Sequence, residues 1–150
     1  MSRPPFELEA LDHVVLLVRD MAEARRFYEQ VLGCTVDREL PEYGMLQLRA
    51  GSSLIDLVDI GSREGEWARP ETEGGRNMDH VCIATGPCEE RAMRTHLAHH
   101  GVAIVEEGIR YGANGDGMSF YICDPSGNQI ELKSPISPWP KAGEGTTEGG

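Results

Sequence analysis

The chain has 150 residues, of which 39% are hydrophobic and 26% are charged, and its formal net charge is −11 at pH 7. Nucleic acids and anionic membranes bind basic surfaces, so this acidic balance argues against both as partners and favours a small-molecule ligand or a protein. No apolar run approaches the length that spans a bilayer and no cationic leader precedes the fold, so we expect a soluble, cytoplasmic protein.

The first half of the chain predicts one strand, one helix and three further strands. The valine-rich run at 11–20 is typical of a buried strand. Asp20 and Glu23 have the spacing of a helix start, and Gly33 ends the apolar pattern of that helix. Strand-like runs follow at 34–38, 45–49 and 53–60. The predicted order of this unit is βαβββ.

The second half repeats this order after a polar, glycine-rich connector. A strand with the sequence MDHVCIA begins at Met78, a helix is predicted over 88–100, and three strand-like runs follow it. His80 lies 67 residues after His13, and both histidines stand in an Asp-His-Val run at the start of a strand. The second unit is eight residues longer, and we assign the extra residues to a loop with the sequence RYGANGDG. An internal repeat of this kind constrains the whole fold.

Five segments follow from this reading of the chain. They are an N-terminal extension at 1–10, a first βαβββ module at 11–60, a connector at 61–77, a second module at 78–135 and a disordered tail at 136–150. About 60 residues are too few to bury a comfortable core, so each module should pack on the other or on a second chain. The four cysteines have no paired spacing and are expected to be buried, reduced thiols.

Two histidines and two carboxylates occupy matching places in the two modules. His13 and His80 begin the first strands, and an acidic residue stands between apolar neighbours in each last strand, as Asp56 in IDL and Glu131 in IEL. A buried carboxylate must be paired or must bind a metal. If a pseudo-twofold axis relates the modules, these four residues form one divalent metal site. Nitrogen and oxygen ligands favour Mn, Fe, Co, Ni or Zn.

With these residues in place, the chain resembles the vicinal oxygen chelate superfamily, which includes glyoxalase I, bleomycin-resistance and fosfomycin-resistance proteins, methylmalonyl-CoA epimerases and extradiol dioxygenases. The resemblance covers roughly residues 9–135 and rests on LDHVVLLVRDMAEARRFYEQVLG, MDHVCI and FYICDPSGNQIEL. It implies an α+β fold in which two βαβββ modules form a U-shaped mixed sheet around a divalent metal. The implied ligands are His13, Asp56, His80 and Glu131.

Departures from the family patterns narrow the expected activity. Glyoxalase I carries an arginine and an asparagine that contact glutathione, at positions filled here by Leu17 and Ile60. Asp56 also stands where glyoxalase I usually has the longer glutamate. Extradiol dioxygenases have a catalytic histidine before the tyrosine that corresponds to Tyr121, and the stretch YGANGDGMSF contains none. Both glutathione-dependent and dioxygenase chemistry are therefore disfavoured.

We expect a metal-dependent lyase or isomerase that acts on a small substrate with neighbouring oxygens. Glu131, or less readily Asp56, would serve as general base, and Tyr121 would donate a hydrogen bond or simply pack in its strand. Arg110 and Tyr111 are candidate substrate contacts.

The resemblance implies a homodimer as the expected assembly. Two alternative functions stay open. One is a binding or resistance protein without chemistry, and the other is an Fe(II) dioxygenase with His13, His80 and Glu131 as its ligands.

Overall fold

A computed structural model describes residues 10–69 and 78–136 of the chain. The chain divides into two compact units between residues 75 and 76. Each unit is a four-stranded mixed sheet whose first and second strands are joined through a helix. This arrangement confirms the predicted α+β fold of two βαβββ modules. Within the described ranges, no helix is long and apolar enough to cross a membrane.

The first unit has the strand order β1-β4-β3-β2, with β1 parallel to β4 and the other neighbours antiparallel. Its elements are β1 (His13–Val18), α1 (Met21–Arg26), β2 (Thr35–Leu40), β3 (Met45–Ala50) and β4 (Ser53–Asp59). The parallel pairing places Val15 of β1 directly beside Asp56 of β4. His13 precedes Val15 by two residues, so its side chain leaves the sheet on the same side as that of Asp56.

The helix of the first unit begins as the sequence predicts and then widens. The side chain of Asp20 accepts a hydrogen bond of 3.0 Å from the backbone N–H of Glu23, which is the N-cap geometry. After α1 the chain continues as a π-helical turn, Phe27–Val31, which the sequence pattern does not reveal. Successive side chains diverge less in a π turn than in an α-helix. Phe27 and Tyr28 are accordingly both buried, with their rings 5.2 Å apart.

The second unit repeats the topology, with strand order β5-β8-β7-β6 and β5 parallel to β8. Its elements are β5 (Val81–Ala84), α2 (Glu90–His99), β6 (Glu106–Gly112), β7 (Gly115–Cys123) and β8 (Gln129–Pro135). Gly101 follows the helix with φ +68°, in the left-handed region that glycine adopts readily. Cys82 of β5 lies directly beside Glu131 of β8.

The prediction of a loop at 110–117 is wrong. Strands β6 and β7 pair as far as Gly112 and Gly115, so only two residues form the turn between them. The extra residues of the second unit therefore lengthen a hairpin. The sequence pattern does not reveal these strand ends, because glycines lack the side chains whose alternation marks a strand. Position 117 favours glycine for a steric reason, since a Cβ there would lie 2.5 Å from the backbone oxygen of Ser134.

The core of each unit lies on the helix side of its sheet. In the first unit Leu16 and Val18 of β1 are almost fully buried, whereas Val15, which points the other way, is 43% exposed. All four cysteines are free, as predicted, but only Cys34 is buried. The prediction of burial is wrong for Cys82, Cys88 and Cys123. Cys82 alternates onto the face of the sheet that the helix does not cover.

We predict that Asp20→Ala lowers the free energy of unfolding by about 1 kcal/mol, because the N–H of Glu23 loses its acceptor at the helix start. Asp20→Asn should retain most of the stability, since the amide oxygen can accept the same hydrogen bond. Urea unfolding followed by circular dichroism measures both variants. Equal losses for the two substitutions would contradict the capping role of this side chain.

Candidate metal and substrate site

Each sheet has a site face, which we define as the face opposite its helix. In the first unit the site face carries His13, Val15, Gln47 and Asp56, because these positions share one side in the strand register. In the second unit the same reasoning groups His80, Cys82, Ser119, Tyr121, Glu131 and Arg110. Each site face thus carries one histidine and one carboxylate from the predicted set.

The second unit brings His80 and Glu131 into direct contact. Nε2 of His80 lies 3.1 Å from Oε2 of Glu131. The other carboxylate oxygen, Oε1, accepts a hydrogen bond of 2.6 Å from the hydroxyl of Ser119. Ser119 is fully buried and Glu131 is 5% exposed, so water does not compete for the hydrogen bond between them.

The aspartate that precedes each histidine accepts a hydrogen bond from the imidazole ring. Nδ1 of His80 donates to Asp79 over 2.7 Å, and Nδ1 of His13 donates to Asp12 over the same distance. In the neutral tautomer with the proton on Nδ1, Nε2 of His80 carries a lone pair, and this lone pair faces a carboxylate oxygen. Two electron-rich atoms 3.1 Å apart repel unless a proton or a metal cation lies with them.

Tyr121 and Arg110 adjoin this pair. The ring of Tyr121 lies 5.4 Å from the imidazole of His80 at an angle of 76°, and the guanidinium of Arg110 lies 5.7 Å from the tyrosine ring. Burial raises the pKa of the Tyr121 hydroxyl and the charge of Glu131 adds to the rise, whereas Arg110 opposes it. Tyr111 is adjacent to Arg110 in β6, so it points to the other face of the sheet, where it is 85% exposed.

The first unit buries a carboxylate with one unsatisfied oxygen. Asp56 is 3% exposed, and its Oδ2 accepts a hydrogen bond of 3.0 Å from the side-chain amide of Gln47. Among the described residues, its other oxygen, Oδ1, is buried without a hydrogen-bond partner. The hydrogen bond to Asp12 raises the pKa of His13, and the negative charge of Asp56 raises it further. A buried acceptor left unsatisfied costs about 1–3 kcal/mol, so this atom needs a cation or a proton.

These donors fit a divalent metal ion. Bonds of about 2.0–2.2 Å from one ion to two neighbouring ligands place those ligands about 3.0–3.4 Å apart, which matches the separation of His80 and Glu131. In the first unit, the unpartnered oxygen of Asp56 is a donor that also suits a cation. Within 10–69 and 78–136, no group of three or more His, Cys, Asp and Glu side chains is arranged to hold a metal. Each unit instead supplies one histidine and one carboxylate.

Sequence reasoning missed the side chains that hold the carboxylates. Gln47 and Ser119 are polar residues in otherwise apolar strands, on the face that also carries Asp56 or Glu131. Their placement becomes visible only when the strand register is known, because each lies in the strand next to the carboxylate. The repeated Asp-His pair was visible in the sequence, but the contact of Asp12 and Asp79 with Nδ1 was not.

Residues 10–132 match the model of the Glyoxalase/Bleomycin resistance protein/Dioxygenase superfamily, and the chain belongs to this superfamily. It is 31% identical over 131 residues to the virulence protein STM3117 of Salmonella typhimurium, with 83% of each chain covered. It is 30% identical over 138 residues to the mitochondrial methylmalonyl-CoA epimerase of Bos taurus, covering 87% of this chain and 77% of that protein.

The fold also matches solved structures. An integron cassette protein from the mobile metagenome of V. cholerae superposes with a TM-score of 0.67 at 31% sequence identity. That match covers 86% of this chain and 97% of the cassette protein. Family membership therefore rests on both sequence and structure.

The reactivity of the Cys82 thiol depends on the charge of the neighbouring Glu131. Although the residue as a whole is exposed, partial burial of the Cys82 thiol raises its pKa to about 11, and the negative charge of Glu131 raises it further. Because the thiolate is the reactive species, iodoacetamide at pH 8 should label Cys82 in metal-free protein at least about tenfold more slowly than a free cysteine of ordinary pKa. Glu131→Gln should speed the labelling of Cys82 alone.

Tandem mass spectrometry of tryptic peptides follows the thiols separately, since fragment ions distinguish Cys82 from Cys88 in the peptide 77–91 and Cys123 lies in the peptide 111–133. Cys123 in the same sample serves as the internal control for reagent activity. An unchanged rate for Cys82 in Glu131→Gln would contradict the electrostatic coupling between the thiol and the carboxylate.

Proposed function

We propose that the protein is a divalent-metal-dependent isomerase or lyase that acts on a small substrate with neighbouring oxygen atoms. The observation that carries this proposal is the contact of His80 with Glu131 at 3.1 Å, beside the hydroxyl-bearing Tyr121. A histidine and a carboxylate with a nearby acid are the groups that proton transfer at a carbon next to a carbonyl requires.

The proposed metal ligands are His13 and Asp56 from the first unit and His80 and Glu131 from the second. Asp12 and Asp79 support the proposal, since metal-binding histidines commonly donate their second ring N–H to a carboxylate. Nitrogen and oxygen donors suit Mn, Fe, Co, Ni or Zn. When bound, such an ion supplies Lewis-acid polarisation of the substrate oxygens.

The side chains of the second unit then have separate roles. Glu131, once released from the metal, would accept the proton from the substrate carbon at its Oε2 atom and return it to the product. Tyr121 donates a hydrogen bond to the substrate oxygen on which negative charge develops. Its raised pKa keeps the hydroxyl protonated at neutral pH, which this role requires. Arg110 lies over the tyrosine ring and offers a positive charge to the substrate.

The relatives support chemistry of this type. One relative is named as a methylmalonyl-CoA epimerase, and an epimerase inverts a carbon centre. Leu17 and Ile60 occupy the positions at which glyoxalase I contacts glutathione, so we propose a substrate other than a glutathione conjugate. Methylmalonyl-CoA and small 2-hydroxy ketones are suitable first substrates for a test.

We predict that the purified protein contains about one equivalent of divalent metal per chain and that His13→Ala and Glu131→Gln each reduce this content strongly. Elemental analysis measures it, with His99→Ala and Glu64→Gln as controls for the loss of a histidine and of a carboxylate outside the proposed site. Unchanged metal content in both ligand variants would overturn the site.

Catalysis is tested by proton exchange. Metal-loaded protein should exchange the proton next to the carbonyl of a substrate in D2O, as followed by proton NMR. The exchange should fall by at least about a hundredfold in Glu131→Gln, because the proton acceptor is lost. Uptake of dioxygen with catechols in the presence of Fe(II), without proton exchange, would contradict an isomerase or lyase.

A further inference from the structure

Each carboxylate of the proposed metal site has one oxygen held by a hydrogen bond from the neighbouring strand. Gln47 of β3 donates to Oδ2 of Asp56 over 3.0 Å, and Ser119 of β7 donates to Oε1 of Glu131 over 2.6 Å. The second oxygen of each carboxylate is not held by Gln47 or Ser119. Oε2 of Glu131 lies 3.1 Å from His80, and Oδ1 of Asp56 is buried without a hydrogen bond.

The two donors serve the same purpose from different places in the repeat. Gln47 lies directly opposite Asp56 in the strand register, and the matching position opposite Glu131 is Tyr121. The hydroxyl of Tyr121 also bonds to Glu131, and Ser119, two residues earlier in β7, adds a donor to Oε1 of the same carboxylate. Each buried carboxylate is thus held by a polar side chain of the neighbouring strand.

The amide of Gln47 is itself oriented. Its oxygen accepts a hydrogen bond of 2.9 Å from Nε of Arg38, so its NH2 group is the end that points to Asp56. An amide can otherwise turn by 180° and present its oxygen to the carboxylate, which would repel it. Arg38 therefore ensures that Gln47 acts as a donor. Ser119 needs no such partner, because its hydroxyl rotates to suit its acceptor.

We infer that Gln47 and Ser119 are positioning residues that restrict Asp56 and Glu131 to one metal-binding oxygen each, and that the site therefore selects a first-row transition ion over Ca²⁺. This inference rests on the proposed metal site. A small ion such as Co²⁺ or Zn²⁺ takes few ligands at about 2.0–2.2 Å, whereas Ca²⁺ prefers six to eight oxygens and reaches that number more readily when a carboxylate binds through both of its oxygens. An oxygen already held by Gln47 or Ser119 is withdrawn from that second bond.

The test measures the dissociation constants of Co²⁺ and Ca²⁺ on the full chain after removal of metal with a chelator. Competition with a chromophoric chelator gives both constants, and the visible absorption of bound Co²⁺ reports the coordination geometry. The loss variants are Ser119→Ala and Gln47→Met, which remove the donor and nearly preserve the volume. Ser119→Thr retains the hydroxyl. Ser134→Ala is the matched control, because Ser134 is a buried serine of β8 that bonds to the Met118 carbonyl on the opposite face.

We expect Ser119→Ala and Gln47→Met to weaken Co²⁺ binding by about 10- to 100-fold, to change the Co²⁺ spectrum and to reduce the preference for Co²⁺ over Ca²⁺. Ser119→Thr should bind Co²⁺ within about threefold of the wild type, and Ser134→Ala should match it. A merely structural role would not alter the spectrum or the ratio of the two constants. Gln47 is half-buried, so its variant is tolerated even if Ser119→Ala proves unstable.

Two results overturn the inference in different ways. If the wild type binds Co²⁺ and both loss variants bind it with the same affinity and spectrum, the positioning role is wrong and the metal site stands. The same conclusion follows if Ser134→Ala loses as much affinity as Ser119→Ala. If the wild type binds no Co²⁺ at any tested concentration, the proposed metal site fails, and the inference fails with it.

Discussion

Two carboxylates buried in sheets set the requirements for the rest of the candidate site. Asp56 and Glu131 are 3% and 5% exposed, and a carboxylate at that depth must be hydrogen-bonded and must have a cation nearby. The hydrogen bonds come from Gln47 and Ser119. In the proposed function that cation is a divalent metal ion, with the histidine on each site face as one of its ligands. A structural role alone would not explain an aspartate with an unsatisfied oxygen in the middle of a strand.

The βαβββ topology makes this arrangement possible twice. The first and last strands of each unit are parallel neighbours, so a histidine at the start of one and a carboxylate in the other leave the sheet on the same side. The helix between the first two strands covers the opposite face and supplies the core. The site faces bury Asp56 and Glu131, while Val15 and Cys82 on the same faces are exposed. One fold can thus support several chemistries, because function depends on the side chains of the site face.

Much of the fold could be predicted from the sequence. Periodicity and capping predict the internal repeat and the same βαβββ order of elements in both units. They also predict the helix start at Asp20 and the shared face of His13 and Asp56. The hairpin of β6 and β7 could not be predicted, because its glycines carry no alternating pattern and resemble a loop. The π-helical turn at Phe27–Val31 also has no local signal, since it depends on the packing of two adjacent aromatic rings.

The candidate site was predictable to a lesser degree. Its four proposed ligands stand out as polar residues repeated among apolar ones, but the groups that hold them depend on strand register. Ser119 lies in a neighbouring strand twelve residues before Glu131, and nothing in its local sequence separates it from a serine in an ordinary strand. Arg110 and Tyr111 stay predicted substrate contacts, and the alternation of β6 places them on opposite faces of the sheet.

The central proposal is that His13, Asp56, His80 and Glu131 bind one divalent metal ion. A crystal structure of the metal-loaded protein, with anomalous diffraction data collected at the absorption edge of the bound metal, tests this claim most directly. The account predicts one anomalous peak within bonding distance of Nε2 of both His13 and His80 and of one oxygen each from Asp56 and Glu131. An anomalous peak bound to other residues, or no peak in crystals grown with excess metal, would contradict it.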